Sequence, residues 1–243
     1  MFVSSNLNFL TASFDEGNDL PFILFLPTYT ASAWYHQKLS NDLQAILLKA
    51  VEEARDFALG EYTLALMKGN NLEESERQKI AAKLARLTGL SVSYIEGTNL
   101  RINIHRFCKE LLREEGFTVG RFDSRYKGVD KDKVGEKFEI DPSYAVILGP
   151  YTAAMYDYLR RDLAYETDLP YEILKSLYQS RKYEDYQNHY VNTAKDLRQG
   201  FQLHPGLKVI VCNGYYDLAT PFLATEYTFN HVPCQSSNNQ ILK

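Results

Sequence analysis

The aspartate at position 217 is the residue in this sequence best placed for chemistry. It follows the apolar run from Val209 to Cys212, which has the composition of a parallel strand buried on both faces. Ligand-binding groups in open α/β sheets collect beyond the carboxyl ends of such strands. A carboxylate there can hold a histidine in one tautomer and stabilise its charged form. It can equally cap the next helix or close the Asn213-Gly214 turn, so spacing alone leaves both roles open.

The five histidines offer no clear partner for this aspartate. His231 lies downstream of Asp217, but we expect it at the far end of the intervening helix, away from the strand ends. His36 stands beside two aromatic residues and is expected to pack or to form a hydrogen bond. The others have no Cys or Ser at a spacing that indicates a nucleophile and base: His105, His189 and His204.

The three cysteines, Cys108, Cys212 and Cys234, fit neither a zinc site nor a dense disulfide framework. Cys212 falls within the apolar run, so we expect it to be a buried, unreactive small hydrophobe. No paired histidines or cysteines occur at helical spacing, which argues against a metal site. The sequence therefore predicts no cofactor.

Composition narrows the class of protein. The chain has 243 residues, of which 45% are hydrophobic and 24% charged, an ordinary globular balance. The net charge of −4 argues against nucleic acid as a main partner. No stretch is apolar for long enough to cross a membrane, and the first ten residues lack the features of a signal peptide. Neither the compartment nor the oligomeric state follows from these features.

The middle of the chain predicts three helices. The first covers residues 41–68, begins at Ser40 or Asn41 and ends at Gly69. The second covers residues 72–88, has a stripe of Ile80, Leu84 and Leu87, and ends at Gly89. The third covers residues 100–115 and ends at Gly116.

The flanking segments have a different character. Residues 21–39 are apolar and aromatic and are expected to pack inside the protein. Residues 117–144 predict a short strand and a long charged loop. Helices are expected within residues 152–166 and 192–201. Residues 207–231 predict a strand, a loop and a helix with Pro221 in its first turn.

Four long segments carry a family resemblance. VCNGYYDLATPFLATEYTFNH resembles the segment of the serine carboxypeptidase family that holds the acid residue, especially in bacterial-type members. FLPTYTASAWYHQKL resembles the segment after the family's nucleophile region. NLRINIHRFCKELLREEGFTVGRFDSRYKG and DPSYAVILGPYTAAMYDYLRRDL resemble its helical insertion and the return to the sheet. The resemblance runs from about residue 3 to His231.

This resemblance implies an α/β fold, and within it a partial α/β-hydrolase with a helical cap insertion. Residues 1–39 would start the hydrolase sheet region, residues 40–116 would form the cap, and residues 117–243 would return to the sheet and end in a divergent tail. The family removes C-terminal residues from peptides with a Ser-Asp-His triad, so a peptide would be the substrate. Asp217 matches the triad aspartate.

The chain departs from the family pattern at the other two triad positions. No G-x-S-x-G sequence occurs, and the family's nucleophile elbow and oxyanion donors would lie upstream of the first matching segment. The family's histidine follows a later strand in a Gly-His-Met type turn, whereas this chain ends in VPCQSSNNQILK. We therefore expect a peptidase that is inactive as this chain alone. The alternative is a non-catalytic binding or interaction protein built on the same scaffold.

Overall fold

The computed structural model describes residues 1–175, 180, 182–232 and 239–241. This part of the chain is mixed α/β and about half helical, with one small sheet and one short hairpin. The α-helices are α1 (Leu20–Tyr35), α2 (Asn41–Gln44), α3 (Leu47–Phe57), α4 (Thr63–Lys68), α5 (Glu74–Thr88), α6 (Val92–Gly97), α7 (Ile104–Glu110), α8 (Pro142–Asp157), α9 (Ala194–Leu203) and α10 (Phe222–Asn230). The strands are β1 (Phe2–Val3), β2 (Thr118–Val119), β3 (Lys127–Gly128), β4 (Val209–Cys212) and β5 (Asn239–Ile241).

The sheet consists of three parallel strands in the order β1-β4-β5. Phe2 lies opposite Val211, so two segments that are far apart in the sequence meet in the sheet. Strands β2 and β3 form a separate antiparallel pair. The sheet segments thus enclose a long, mainly helical stretch of sequence, as the strand-loop-helix pattern at residues 207–231 and the helical middle predict. The predicted α/β class is confirmed as a mixed α/β architecture with a small sheet.

Helix α1 is the central element of the core. Every residue from Ile23 to Ala33 is buried, because α1 packs against α3, α5 and α10 on different sides. A helix that is apolar all round is stable only in such an enclosed position. Pro21 occupies its first turn, where the missing N–H costs nothing, and the expectation that residues 21–39 pack inside is confirmed for the helix.

The first two predicted helices are present with altered details. The segment 41–68 breaks at Ile46, which has an extended backbone, and then continues through α3, a π-helical turn at residues 58–62, and α4. It ends at Gly69, as predicted. Helix α5 ends at Gly89, whose φ of 72° is left-handed, and its stripe of Ile80, Leu84 and Leu87 is buried.

The single helix predicted over residues 100–115 is wrong. Residues 92–97 form α6, and α7 covers only Ile104–Glu110. Leu100 has a φ of 63°, and its carbonyl accepts a hydrogen bond of 2.6 Å from the buried Tyr62 hydroxyl. Helix α7 starts at Ile104, and the side chain of its cap residue Asn103 accepts from the Arg106 N–H. A tertiary hydrogen bond therefore accompanies the break in the predicted helix.

The expectation that β4 is buried on both faces is also wrong. Val211 is buried, while Ile210 is 43% exposed. The face with Val211 and Phe2 lies under α10, where Phe229 contacts the Phe2 ring edge-on at 6.0 Å between centroids. On the opposite face Ile210, its neighbour Cys212 and the paired Val3 are wholly or partly exposed. No helix in the described part covers that face.

The predicted helix near residues 152–166 begins earlier, at Pro142, and continues into a π-helical turn at residues 158–162. Asp141 caps it by accepting from the Ser143 N–H at 2.9 Å. Although α8 is rich in apolar residues, only its first two residues are buried. Neither α8 nor any other described helix is long and apolar enough to cross a bilayer.

Candidate functional site

Asp217 lies in a tight turn beyond the carboxyl end of β4, as the sequence predicts. Its Oδ1 accepts hydrogen bonds from the backbone N–H groups of Ala219 at 2.8 Å and Thr220 at 3.0 Å. Its Oδ2 accepts one from the Thr220 hydroxyl at 2.7 Å. These contacts hold the turn that leads into Pro221 and α10. The carboxylate thus performs the turn-closing role that the sequence left open.

This turn is fixed against the loop that follows β2. The Leu218 N–H donates to the Arg121 carbonyl at 2.9 Å, and the Ser124 N–H donates to the Tyr216 carbonyl at the same distance. Asn213 adds a bond from its side-chain amide to the Thr220 carbonyl. Gly120 enables the loop's close approach, since a Cβ there would lie 2.6 Å from the Asp123 carbonyl oxygen. The backbone around Asp217 is therefore held on both sides.

The Asp217 Oδ2 has one donor among the described residues, the Thr220 hydroxyl. A carboxylate oxygen can accept two hydrogen bonds, so Oδ2 can accept one more. The residue is largely buried, with 8% of its surface exposed. Among the described residues, no histidine is hydrogen-bonded or ion-paired to it.

The histidine downstream of Asp217 is oriented by its own helix. His231 follows the last residue of α10, and its Nδ1 donates to the Tyr227 carbonyl at 2.7 Å. The nine residues of α10 span roughly 14 Å, which separates the imidazole from the turn. The placement predicted for His231, at the end of the helix and away from the strand ends, is confirmed.

His36 is half-buried beside Tyr35 and binds backbone rather than a nucleophile. Its Nε2 donates to the carbonyl of Ser124 at 2.7 Å. The Ser124 hydroxyl forms a separate buried bond of 2.6 Å with the Ser32 hydroxyl. Because the imidazole contacts the carbonyl and neither hydroxyl, this group of residues has no base positioned to activate a serine. Its role is to fix the end of α1 to the loop after β2.

The described cysteines are both unpaired. Cys108 is completely buried, and this burial raises the pKa of its thiol well above the ordinary value. Cys212 is partly exposed on the open face of the sheet, which corrects the expectation that it is buried. Cys234 lies outside the described residues. No group of three or more metal-ligating side chains occurs in the described part.

A cavity of about 380 Å³ opens beside the Asp217 turn. Leu218 and Ala219, which directly follow the aspartate, form part of its wall, whereas Asp217 itself does not line it. The other lining residues are in part apolar and in part polar. The polar ones are Asn103, His105, Arg121 and Lys137.

The sequence does not predict these polar residues as a group. Arg121 and Lys137 fall in the charged segment expected to be a loop, and His105 is expected in the middle of a helix, although it is the second residue of α7. Their separation along the chain carries no local signal. Only the docking of the β2 loop against α7 and the Asp217 turn brings them to one wall.

Comparisons with protein-family models, with curated proteins and with solved structures found no match for this chain. The serine carboxypeptidase resemblance therefore depends on the quoted sequence segments alone.

Proposed function

We propose that this chain has the scaffold of a serine carboxypeptidase-type α/β-hydrolase, with Asp217 as the counterpart of the triad acid, and that it does not hydrolyse peptides by itself. Three parallel strands with intervening helices are compatible with a part of such a scaffold. The position of Asp217 beyond the end of β4, held by its own turn, is the observation that carries the proposal.

The geometry of the Asp217 carboxylate supports this role. Its Oδ1 is saturated by two backbone N–H groups, which fixes the orientation of the carboxylate plane. The second acceptor position on Oδ2, which no described residue occupies, is where an imidazole N–H would bind in a triad.

The proposed inactivity follows from the missing partners. A triad acts as a unit, in which the histidine takes the serine proton and the aspartate orients the histidine. No G-x-S-x-G elbow occurs in the sequence, and His36 and His231 are each bound to backbone carbonyls. The loss of a triad serine costs about 10⁶-fold in turnover in a well-studied serine protease. Asp217 alone can perform neither proton transfer nor nucleophilic attack.

The experiment is a peptidase assay on the purified chain with a blocked dipeptide, at mildly acidic and at neutral pH. The wild type and an Asp217→Asn variant are compared, and we expect no hydrolysis above the buffer rate in either. Hydrolysis by the wild type that disappears in Asp217→Asn would overturn the proposed inactivity, because it would require a complete catalytic centre within these residues.

The alternative, a non-catalytic binding protein on the same scaffold, is favoured by one observation. The cavity beside the Asp217 turn has the size of a small-molecule site and combines apolar walls with a few polar groups. Binding there requires neither a nucleophile nor a base.

A further inference from the structure

The cavity beside the Asp217 turn has two positively charged side chains in its wall. Arg121 follows β2, and Lys137 lies in the charged loop before α8. None of the described residues lining the cavity is a carboxylate. The wall therefore presents positive charge without a counter-charge of its own.

Neither cation is neutralised by a partner in the described part of the protein. The Arg121 guanidinium forms no ion pair there and lies over the Phe122 ring, 4.7 Å from its centroid. The Lys137 ammonium likewise has no ion pair or hydrogen bond among the described residues. In the adjoining cavity of about 800 Å³, by contrast, Arg101 binds Asp19 at 2.6 Å and Arg106 binds Glu136 at 2.9 Å.

One carboxylate close to the cavity already accepts hydrogen bonds through one of its oxygens. Asp141 lies outside the wall, and its Oδ1 accepts from the Arg121 N–H at 3.1 Å and from both the N–H and the hydroxyl of Ser143. It thus holds the β2 loop and caps α8. Counting Asp141, the group of three charges still has a net charge of +1.

Two neutral groups add hydrogen-bonding capacity to the same wall. Asn103 uses its Oδ1 to cap α7, and its side-chain N–H groups have no partner in the described part. The Nδ1 of His105 is buried and has no hydrogen-bond partner there. Burial lowers the pKa of His105, Lys137 and Arg121 lower it further, and Asp141 opposes them. The imidazole is therefore neutral at neutral pH and provides one donor and one acceptor.

The larger apolar lining residues belong to the hydrophobic core or pack against it. Phe14 and Phe25 meet edge-on with ring centroids 4.9 Å apart, and Phe25 belongs to the buried face of α1. Leu218 and Ile104 are buried beside them. Such a wall favours an aromatic or aliphatic body, since each buried apolar atom leaves water.

We propose that this cavity binds a small organic monocarboxylate with an aromatic or aliphatic body and no ammonium group. The carboxylate lies toward Arg121, Lys137 and the Asn103 amide, and the apolar body lies against Phe14 and Phe25. An ammonium group on the ligand would face uncompensated positive charge, which disfavours free amino acids. The ligand class is argued from the cavity alone and holds whether or not the chain is related to hydrolases.

The test is a titration of the purified chain with 3-phenylpropionate, followed by calorimetry and by changes in protein NMR signals. Two further probes separate the contributions: 3-phenylpropionamide has the same shape without the charge, and acetate has the charge without the body. We expect each of them to bind at least about tenfold more weakly than 3-phenylpropionate. Equal binding of the acid and the amide, or no binding of the acid through the millimolar range, would overturn the proposal.

Variants locate the site. Lys137→Gln is expected to weaken 3-phenylpropionate binding at least about threefold, and Arg121→Gln with Lys137→Gln at least about tenfold. Lys131→Gln makes the same change of charge on an exposed residue of the same loop outside the cavity, and it should leave binding unchanged. Arg121→Gln retains the backbone bond to Asp141, and the exposed Lys137→Gln provides an independent answer if the double variant fails to fold. If Lys131→Gln and Lys137→Gln weakened 3-phenylpropionate binding equally, the proposed site would be wrong.

Discussion

Arg55 of α3 and Glu226 of α10 form a largely buried ion pair between parts of the chain that are 171 residues apart. Their side chains are only 15% and 9% exposed. The guanidinium also lies 5.6 Å from the centroid of the Phe222 ring, in the first turn of α10. The helix that follows the Asp217 turn is thereby joined to the helical region by charge as well as by apolar packing.

Breaking this pair from one side should destabilise the fold strongly. Arg55→Met removes the cation that faces the Glu226 carboxylate at this buried contact, and we expect a loss of about 3–5 kcal/mol in the free energy of unfolding. The measurement is urea-induced unfolding followed by circular dichroism. The double variant with Glu226→Leu should lose less than Arg55→Met alone, because it also removes the buried carboxylate.

A solvent-exposed pair provides the control. Arg161 and Asp157 pair across one helical turn with side chains that are 70% and 56% exposed. Arg161→Met should change the free energy of unfolding by only about 0–1 kcal/mol. Similar losses in Arg161→Met and Arg55→Met would show that burial does not determine the strength of the inner pair.

Two glycines should respond in opposite ways to alanine. Gly89 ends α5 with a φ of 72°, and a Cβ there would lie 2.7 Å from the Cβ of Lys38. Gly89→Ala is therefore expected to cost more than about 1 kcal/mol. Gly60, in the π-helical turn, has no atom within 4 Å of the position of a Cβ, and Gly60→Ala should be neutral or stabilising by about 0.4–1 kcal/mol. Thermal unfolding of both variants checks the order, which the reverse result would refute.

The hydrogen bonds of the Asp217 turn lead to a prediction about stability that does not depend on catalysis. Asp217→Ala removes the acceptor for the N–H groups of Ala219 and Thr220, and we expect a loss of about 1–3 kcal/mol. Asp217→Asn keeps an oxygen at the Oδ1 position and should lose clearly less. Urea unfolding measures both, with Asp168→Ala as an exposed control that should be nearly silent. Equal losses in the two Asp217 variants would show that the Oδ1 bonds do not hold the turn.

The Lys109–Asp130 pair should make stability depend on acidity. Burial by itself raises the pKa of Asp130, but the Lys109 ammonium at 2.7 Å and two backbone N–H groups outweigh it and lower the pKa below its ordinary value. A carboxyl whose pKa is lower in the folded state adds stability above its unfolded pKa of about 3.9. That contribution is lost as the pH falls through the lower, folded value.

The pH dependence is measured by urea unfolding from neutral pH to below pH 4. Asp130→Asn should be less stable than the wild type at neutral pH, and the difference should narrow as the wild-type carboxyl becomes protonated. Glu96→Gln, an exposed change of the same kind, should show a small difference that stays constant. If the stability difference between the wild type and Asp130→Asn widened on acidification, the predicted direction of the Asp130 pKa change would be wrong.

The sequence predicts an element well where neighbouring residues alone determine its structure. Gly69 and Gly89 end helices because a positive φ is cheap only at glycine, and the stripe on α5 is buried as its spacing requires. The prediction failed over residues 100–115, because the Tyr62 hydroxyl captures the Leu100 carbonyl from 38 residues away. It failed for the second face of β4, because no described helix covers Ile210.

The candidate site also has a part that the sequence predicts and a part that it does not. Asp217 could be found because it directly follows a strand in one continuous segment. The cavity beside it could not, because Arg121, His105 and Leu218 come from three distant segments that no periodicity relates. The hydrogen bonding of the Asp217 Oδ2 could not be predicted either, since it depends on which hydroxyl and amide groups the turn brings to the carboxylate.

The pairing of Phe2 with Val211 has a consequence for synthesis on the ribosome. Chains grow at roughly 5–20 residues per second, so β1 waits about 10–40 s before its partner strand is made. During that interval α1, α3 and α5 can already form and pack, because their contacts lie within the first 90 residues. The pairing of β1 with β4 therefore forms only after the helical region between them has been made.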